Sequence, residues 1–592
     1  ATGFSDGAGA YVLSDASGNF NISGDYTCAP GSQVYLYAHG GNSGGGTNSY
    51  IGLMAIVGAC PNAGNFASVP FIEINEVSTI AAAYSFAGYA TDSTHVSSNG
   101  SPQALTGIAN AFATATNLVD LGTGTALATT PAANGTVPQA TLNTLANILA
   151  SCVNSADVLR FREPMPSFSC EQLFGANYSN GGQGSYPQNT ADAAVYMAHN
   201  PSHNVPLLYT LPSSTPPFYP ALTSQPNDFT LSIAYAAGHV RFGGQLAVDA
   251  QGNVWVPVQV TNGASPANGG NGAIEQFSNL GALLSNTWTQ TNINHPFAVT
   301  IDTSGSAWIT NFGDSGVLTV YSSSGVETSS FTPSSFAVLG LSLPTFDLSG
   351  NLWLTDRACP GTLLELSSSD VLTQTVTGNG LDCPGNLAFD PVGSLWVNNQ
   401  QSHTIGKFLN GVAATNNPFS LIDTSFPEAI ASDASGNLWV LKQDGAVDVL
   451  SGSGAEISGA PYNPGVGGPG APQASFQALD GAGNDWITTN AYDFSTSPPT
   501  NDYNLIEVSH SGTLLTSGSG LVTNASFPLG GIALDSSGNL WLSSDNQLFE
   551  YIGIAAPVET PIVQALQDDC LAQLPCLQVS PTTIAHPKPI QP

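Results

Sequence analysis

Seven tryptophans stand in one frame. Trp255, Trp308, Trp353, Trp396, Trp439, Trp486 and Trp541 each follow an aspartate by six residues (Asp249, Asp302, Asp347, Asp390, Asp433, Asp480, Asp535) and a glycine by three, in segments such as LAVDAQGNVWV (246–256), LAFDPVGSLWV (387–397) and IALDSSGNLWL (532–542). The spacing predicts a strand, a tight Asp-x-x-Gly turn whose glycine takes positive φ, and a second strand with a large aromatic on its buried side. Alternating runs follow, among them AIEQFS (273–278), TLLELS (362–367) and QLFEYI (547–552), and then a polar outer strand. Four strands per repeat, seven times over, predict a mainly β chain built around a seven-bladed β-propeller.

The tryptophans are 43 to 55 residues apart, too far for a leucine-rich solenoid, and the Gly-His and Trp-Asp punctuation of WD40 repeats is missing. The last aromatic repeat runs into a Pro-containing tail, so FTLSIAY (229–235) is expected to supply its outer strand and spare the ring an exposed edge. The repeats resemble NHL repeats and the propellers of virginiamycin B (streptogramin) lyases over residues 228–556, with GSLWVNNQQSHTIGKFLNG (393–411) the best match. That resemblance implies an open face where a His transfers a proton and carboxylates hold magnesium, commonly with a Glu shortly after the aromatic motif. Here the residues three after each Trp are Val258, Asn311, Asp356, Asn399, Lys442, Thr489 and Ser544. None is Glu, and His403, the only His in a matching loop, has no carboxylate partner readable in the sequence, so no catalytic residue, metal or cofactor is assigned.

Upstream, residues 1–78 carry alternating runs (QVYLYAHGG, IGLMAIVGAC, FIEINEVS) that resemble the later strands of a carboxypeptidase-regulatory-like, immunoglobulin-type β-sandwich whose opening strands are missing. Residues 79–210 change to helical period, with Leu142, Leu145, Leu149 and Cys152 on one face, and predict a small α-helical cap. Residues 211–227 form a Pro-rich connector and 557–592 an extended tail.

Seven Lys and Arg against 40 Asp and Glu give a formal charge of −33. Such a chain repels nucleic acid and anionic lipid, and with few charges left in acid it suits an acidic medium. No apolar run is long enough to span a bilayer and no basic-then-apolar leader opens the sequence, as expected of a soluble or processed chain. Eight cysteines fall into sequence neighbours, Cys28 with Cys60, Cys152 with Cys170, Cys359 with Cys383 and Cys570 with Cys576. An even count without CxxC motifs indicates disulfides and a secreted or cell-surface protein, with connectivity left open.

Short motifs have plainer readings. GNSGG (41–45) is followed by a strand, not the helix of a nucleophile elbow, and GDSG (313–316) falls where the repeat predicts a turn. His199 and His203 flank Pro201 at a helix end, which suits no zinc helix. Alternation turns Glu275, Glu365, Glu507 and Glu550 of the third strands outward, toward solvent. The remaining candidate ligand-binding surface is the loop face after the Trp strands, with Asn311, Asp356, Arg357, Asn399, Lys442, Asn490 and Asp545. Three functions fit. The first is a secreted, non-enzymatic extracellular structural protein that self-associates into filaments, its incomplete sandwich taking a strand such as 577–592 from a neighbour. The alternatives are a glycan- or protein-binding propeller and a lyase related to streptogramin lyase.

Overall fold

The computed structural model describes residues 4–571 and Leu577, apart from residues 7–8, 23–25, 45, 70, 156–168, 178–185, 237–243, 260–271, 287–291, 312–316, 332–340, 422–424, 458, 463–472, 494–499, 517–519, 523–527 and 545–546. Seven antiparallel sheets succeed one another and form the propeller. Blade one consists of Ala247–Val248, Val254–Gln259, Gly272–Phe277 and Leu283–Asn286; blades two to six span 296–331, 345–377, 384–420, 427–450 and 473–522. In blade seven, Leu529–Leu534, Leu540–Ser544 and Gln547–Tyr551 are completed by Ser232–Ala236, whose Tyr235 lies opposite Leu548. The segment entering the ring therefore closes it, as 229–235 predicts.

The six-residue Asp-to-Trp spacing is a hydrogen bond. Every motif indole N–H donates to its own aspartate, at 2.9 Å for Trp308 to Asp302 and Trp541 to Asp535 and at 3.5 Å for Trp486 to Asp480. The other carboxylate oxygen holds the turn: Asp249 Oδ1 accepts from the amides of Gln251 and Asn253. All seven indoles are buried between blades, Trp308 for instance against Leu352, Leu354 and Leu364 of blade three. One residue type thus orders the turn and satisfies a buried donor.

The third-strand glutamates differ from expectation. Glu365, Glu507 and Glu550 lie opposite Trp353, Trp486 and Trp541, whereas Glu275 lies one residue out of that register, opposite Val256. Glu275 and Glu550 are fully buried rather than solvated, because both faces of an inner strand in a propeller pack on neighbouring blades.

Before the ring, helices Glu76–Ser85, Pro102–Leu118, Gln139–Val153, Ser169–Ala176, Thr190–His199 and Val205–Tyr209 form the cap. Asn75 and Ser78 begin the first helix as a reciprocal capping box. Where a sandwich would set a second sheet, the hairpin Gln33–His39 and Gly52–Ala59 packs instead on these helices, with Met54 and Ile56 in one core with Val77, Ile80 and Ala83. Alternation required a cover for that face, and the helices provide it. The same core continues into Leu231, Ile233, Tyr235 and Trp541, so cap and propeller are packed as one. The donor strand expected from 577–592 lies outside the described residues except for Leu577, whose carbonyl accepts from the amide of Asn99 at 3.3 Å.

The cysteine pairs 28–60, 152–170 and 359–383 are disulfides. Cys570 is disulfide-bonded too, while Cys576 lies outside the described residues. Such bonds fit an oxidising, extracellular environment. No described helix is long and apolar enough to cross a membrane.

Candidate functional site

The two faces of the ring are unequal. The lower face, formed by the Asp-x-x-Gly turns, is covered. Tyr89 of the cap donates to Ser536 O, and Asn110 donates to Gln251 O at 2.9 Å. The segment after blade seven then runs beneath the ring. Ala555 and Val558 bond to the blade seven turn, Ala556 to Asp480 of blade six and Thr560 to Asp249 of blade one. Instead of the extended tail expected from residue 557, a short helix follows, Ile562–Gln567, which buries Val563 against the core of blades two and three and Leu566 against that of blades three and four. From blade one to blades three and four, this segment runs along the underside of the ring. The loops after the Trp strands lie on the opposite, upper face.

Inner strands approach the axis closely there. Gly244 N-terminal to blade one has no room for a Cβ because the Phe297 carbonyl of blade two occupies it. Gln245 bridges to Ala298 and donates through Nε2 to Ile532 O at 2.6 Å, joining blades one, two and seven. Register breaks interrupt the start of the inner strands between Pro296 and Ala298, Pro384 and Leu387, Pro427 and Ala429, Ala474 and Phe476, and Leu529 and Ile532. Bulges re-aim side chains, and these put Phe297, Asn386, Glu428 and Ser475 at the upper end of the channel wall.

Of the residues singled out by sequence, Arg357 belongs to this mouth. Its guanidinium donates to Gln400 Oε1 of blade four at 3.1 Å and lies 5.5 Å from the ring centre of Phe297 of blade two. Burial lowers its pKa and the charge of Glu428 in blade five opposes that shift. Burial in turn pushes the Glu428 carboxyl above the ordinary carboxylate range, and Arg357 pulls it back. Asn386 Nδ2 donates to Glu428 O at 2.8 Å, which ties the same wall together. Asp356, beside Arg357, caps the following loop by accepting from Ala358 N at 3.2 Å. The Cys359–Cys383 disulfide staples that loop to the entry of blade four.

The other candidates hold the fold. Asn311 accepts from Asn294 N at 3.0 Å and Asn399 from Asp382 N at 3.1 Å, each clipping the loop that leads into its own blade. Asn490 accepts from Leu529 N at 2.8 Å and so joins blades six and seven. Lys442 is fully buried and paired with Asp448 at 3.1 Å. Asp545 lies outside the described residues, as does all of GDSG (313–316). His403 lies with its ring centre 4.6 Å from that of Phe426. His199 Nε2 is 2.9 Å from Ala87 O and His203 is 2.9 Å from Asn204, so the two rings do not converge. Ser43 of GNSGG donates to Val153 O at 2.6 Å within a hairpin loop. No described group of His, Cys, Asp and Glu is arranged to hold a metal ion.

Sequence reasoning missed Glu428, Gln400 and Phe297. Their signal was available: Pro296-Phe297 and Pro427-Glu428 open inner strands at matching positions, and a lone Glu in an otherwise apolar inner strand needs a partner.

The fold is a seven-bladed β-propeller whose lower face is covered by the cap and by the segment after blade seven. Among solved structures, the chain is similar to virginiamycin B lyase from Staphylococcus aureus, in a catalytically inactive variant with quinupristin, at 13% identity over 53% of this chain and 96% of that one, with a TM-score of 0.40. A streptogramin B lyase (14%, 52% and 93%, TM-score 0.41) and a gluconolactonase from Xanthomonas campestris (11%, 55% and 90%, TM-score 0.32) are similar in the same way. No family model and no curated protein matches the chain.

Proposed function

We propose that this is a secreted binding propeller that takes a neutral, polyhydroxylated ligand, such as a glycan, in the upper mouth of its channel. The observation that carries this reading is the position of Arg357, which bridges blades two and four on the upper face and feels the charge of Glu428 in blade five. Arg357 and Glu428 balance each other, and the amides of Gln400 and Asn386 beside the Phe297 ring suit hydroxyls on one side of a ligand and an apolar face on the other. With a chain charge of −33, long-range repulsion disfavours an anionic ligand. Self-assembly by a donated strand has less in its favour, since helices cover the hairpin face that a donor would need. Titration of neutral oligosaccharides by calorimetry tests the reading: Arg357→Ala should weaken binding at least tenfold with the melting temperature little changed, and equal binding by both proteins would rule it out.

A second reading rests on Glu428. A carboxyl held above its ordinary range beside a cation suits proton transfer, as the lyase alternative requires. In that case Glu428→Gln should retain ligand binding and lose turnover.

A further inference from the structure

Blades six and seven contain an arrangement that the ligand site does not use. At the position before the motif Trp, blades one to five and seven carry Val254, Ala307, Leu352, Leu395, Leu438 and Leu540, and blade six carries Asp485. Its side chain is fully buried, and neither carboxyl oxygen has a hydrogen-bond partner among the described residues. By strand alternation it shares a sheet face with Ile487, which packs with Trp439 of blade five. The carboxyl therefore lies in the joint between blades five and six. Around it, its own blade offers Asp480 and Glu507, which share the amide of Asn484. Blade five offers Asp433, bonded to Trp439, and Tyr462, while its Lys442–Asp448 pair shares a face with Leu438 and Val440, which pack on blade four; the segment below offers the amide of Ala556, bonded to Asp480, and Glu559 beyond it. Blade seven repeats the theme, with Glu550 held between Asn539 and the Tyr235 hydroxyl above Asp535. The sequence contains no Lys or Arg between Lys442 and Lys588.

An isolated buried carboxylate is far more costly than a buried carboxylic acid, so without a cation the acid form is the one that fits. We propose that blades six and seven are built to hold neutral carboxylic acids, so that the ring is tightest in an acidic medium and the joint at Asp485 loosens as the medium turns alkaline. The titration of these groups runs in the same direction. Burial first, then the charge of Asp480, pushes Asp485 well above its ordinary range and Glu507 up to about 8. The unfolded chain ionises near pH 4, so stability is complete below that and falls as pH rises toward 8.

The test is the melting temperature of the full chain from pH 4 to pH 8.5 for the wild type, Asp485→Asn, which keeps the shape of the neutral acid, and Asp485→Leu, which restores the residue of the other blades. The wild type should melt lower at pH 8 than at pH 4. Both variants should flatten that fall and melt about 2 °C or more above the wild type at pH 8, with little difference at pH 4. Glu507→Gln should act in the same direction if either Asp485 variant fails to fold. A wild-type curve that is flat or rises with pH, variants that track the wild type at every pH, or recovery of the pH 8 melting temperature by millimolar calcium would each overturn the proposal.

Discussion

Blades four and seven share one turn and solve its electrostatics in opposite ways. In blade four the residue opposite the Trp is Lys407, whose ammonium lies 3.3 Å from Asp390 and 4.3 Å from the centre of the Trp396 ring. In blade seven it is Glu550, opposite Trp541, and burial pushes this carboxyl up to about 8 while Asp535 is pushed up to about 6. The repeat thus specifies a buried aspartate that accepts from the indole, and these two blades set different groups against it, a cation in one and a carboxyl with a raised pKa in the other.

Removing the shared element should have the largest effect. Trp396→Ala or Trp541→Ala empties an interblade site and should cost about 3–5 kcal/mol, seen as a marked fall in melting temperature. If either is tolerated with a loss below about 1 kcal/mol, the indoles do not hold the blades together. Next, Lys407→Met leaves Asp390 buried without its cation and should cost about 3 kcal/mol in denaturant unfolding at pH 7. Glu550→Gln should do the reverse in alkali: the raised carboxyl loses folded-state stability as pH rises from about 4 toward 8, so the variant should gain on the wild type at pH 8.5 and match it near pH 4. Parallel pH profiles for the two variants would erase the distinction between the blades. A smaller effect of about 3 kcal/mol or less is expected for loss of the Cys359–Cys383 bond, which closes a loop across 24 residues. Intact-mass counting after alkylation without reductant should find no free thiol at either position.

The ring was legible because its turn chemistry and buried aromatic recur in register, and the closing strand because an open edge needs a partner. Helix Gln139–Val153 was legible in the spacing of Leu142, Leu145, Leu149 and Cys152, all fully buried. Alternation in 33–39 and 52–59 announced a covered face without saying whether a sheet or a helix covers it. The short helix beneath the ring escaped notice because six residues, Ile562–Gln567, are too few for helical periodicity to show. Arg357 stood out in a chain with seven basic residues, but Glu428 did not, since a bulge shifts the inner-strand register by a step that pattern alone does not reveal. Asn311, Asn399 and Asn490 looked like ligand groups because loop asparagines and binding asparagines share one composition; their backbone partners are set by tertiary contacts.

The unequal faces of the ring are the central claim, and amide hydrogen exchange with and without a bound neutral oligosaccharide tests it most directly. The account predicts protection of 356–362, 399–404 and 425–430 around the upper mouth, with no change in 535–538 and 555–571 beneath the ring. Protection confined to the lower turns and the 555–571 segment, with the upper loops unchanged, would contradict it.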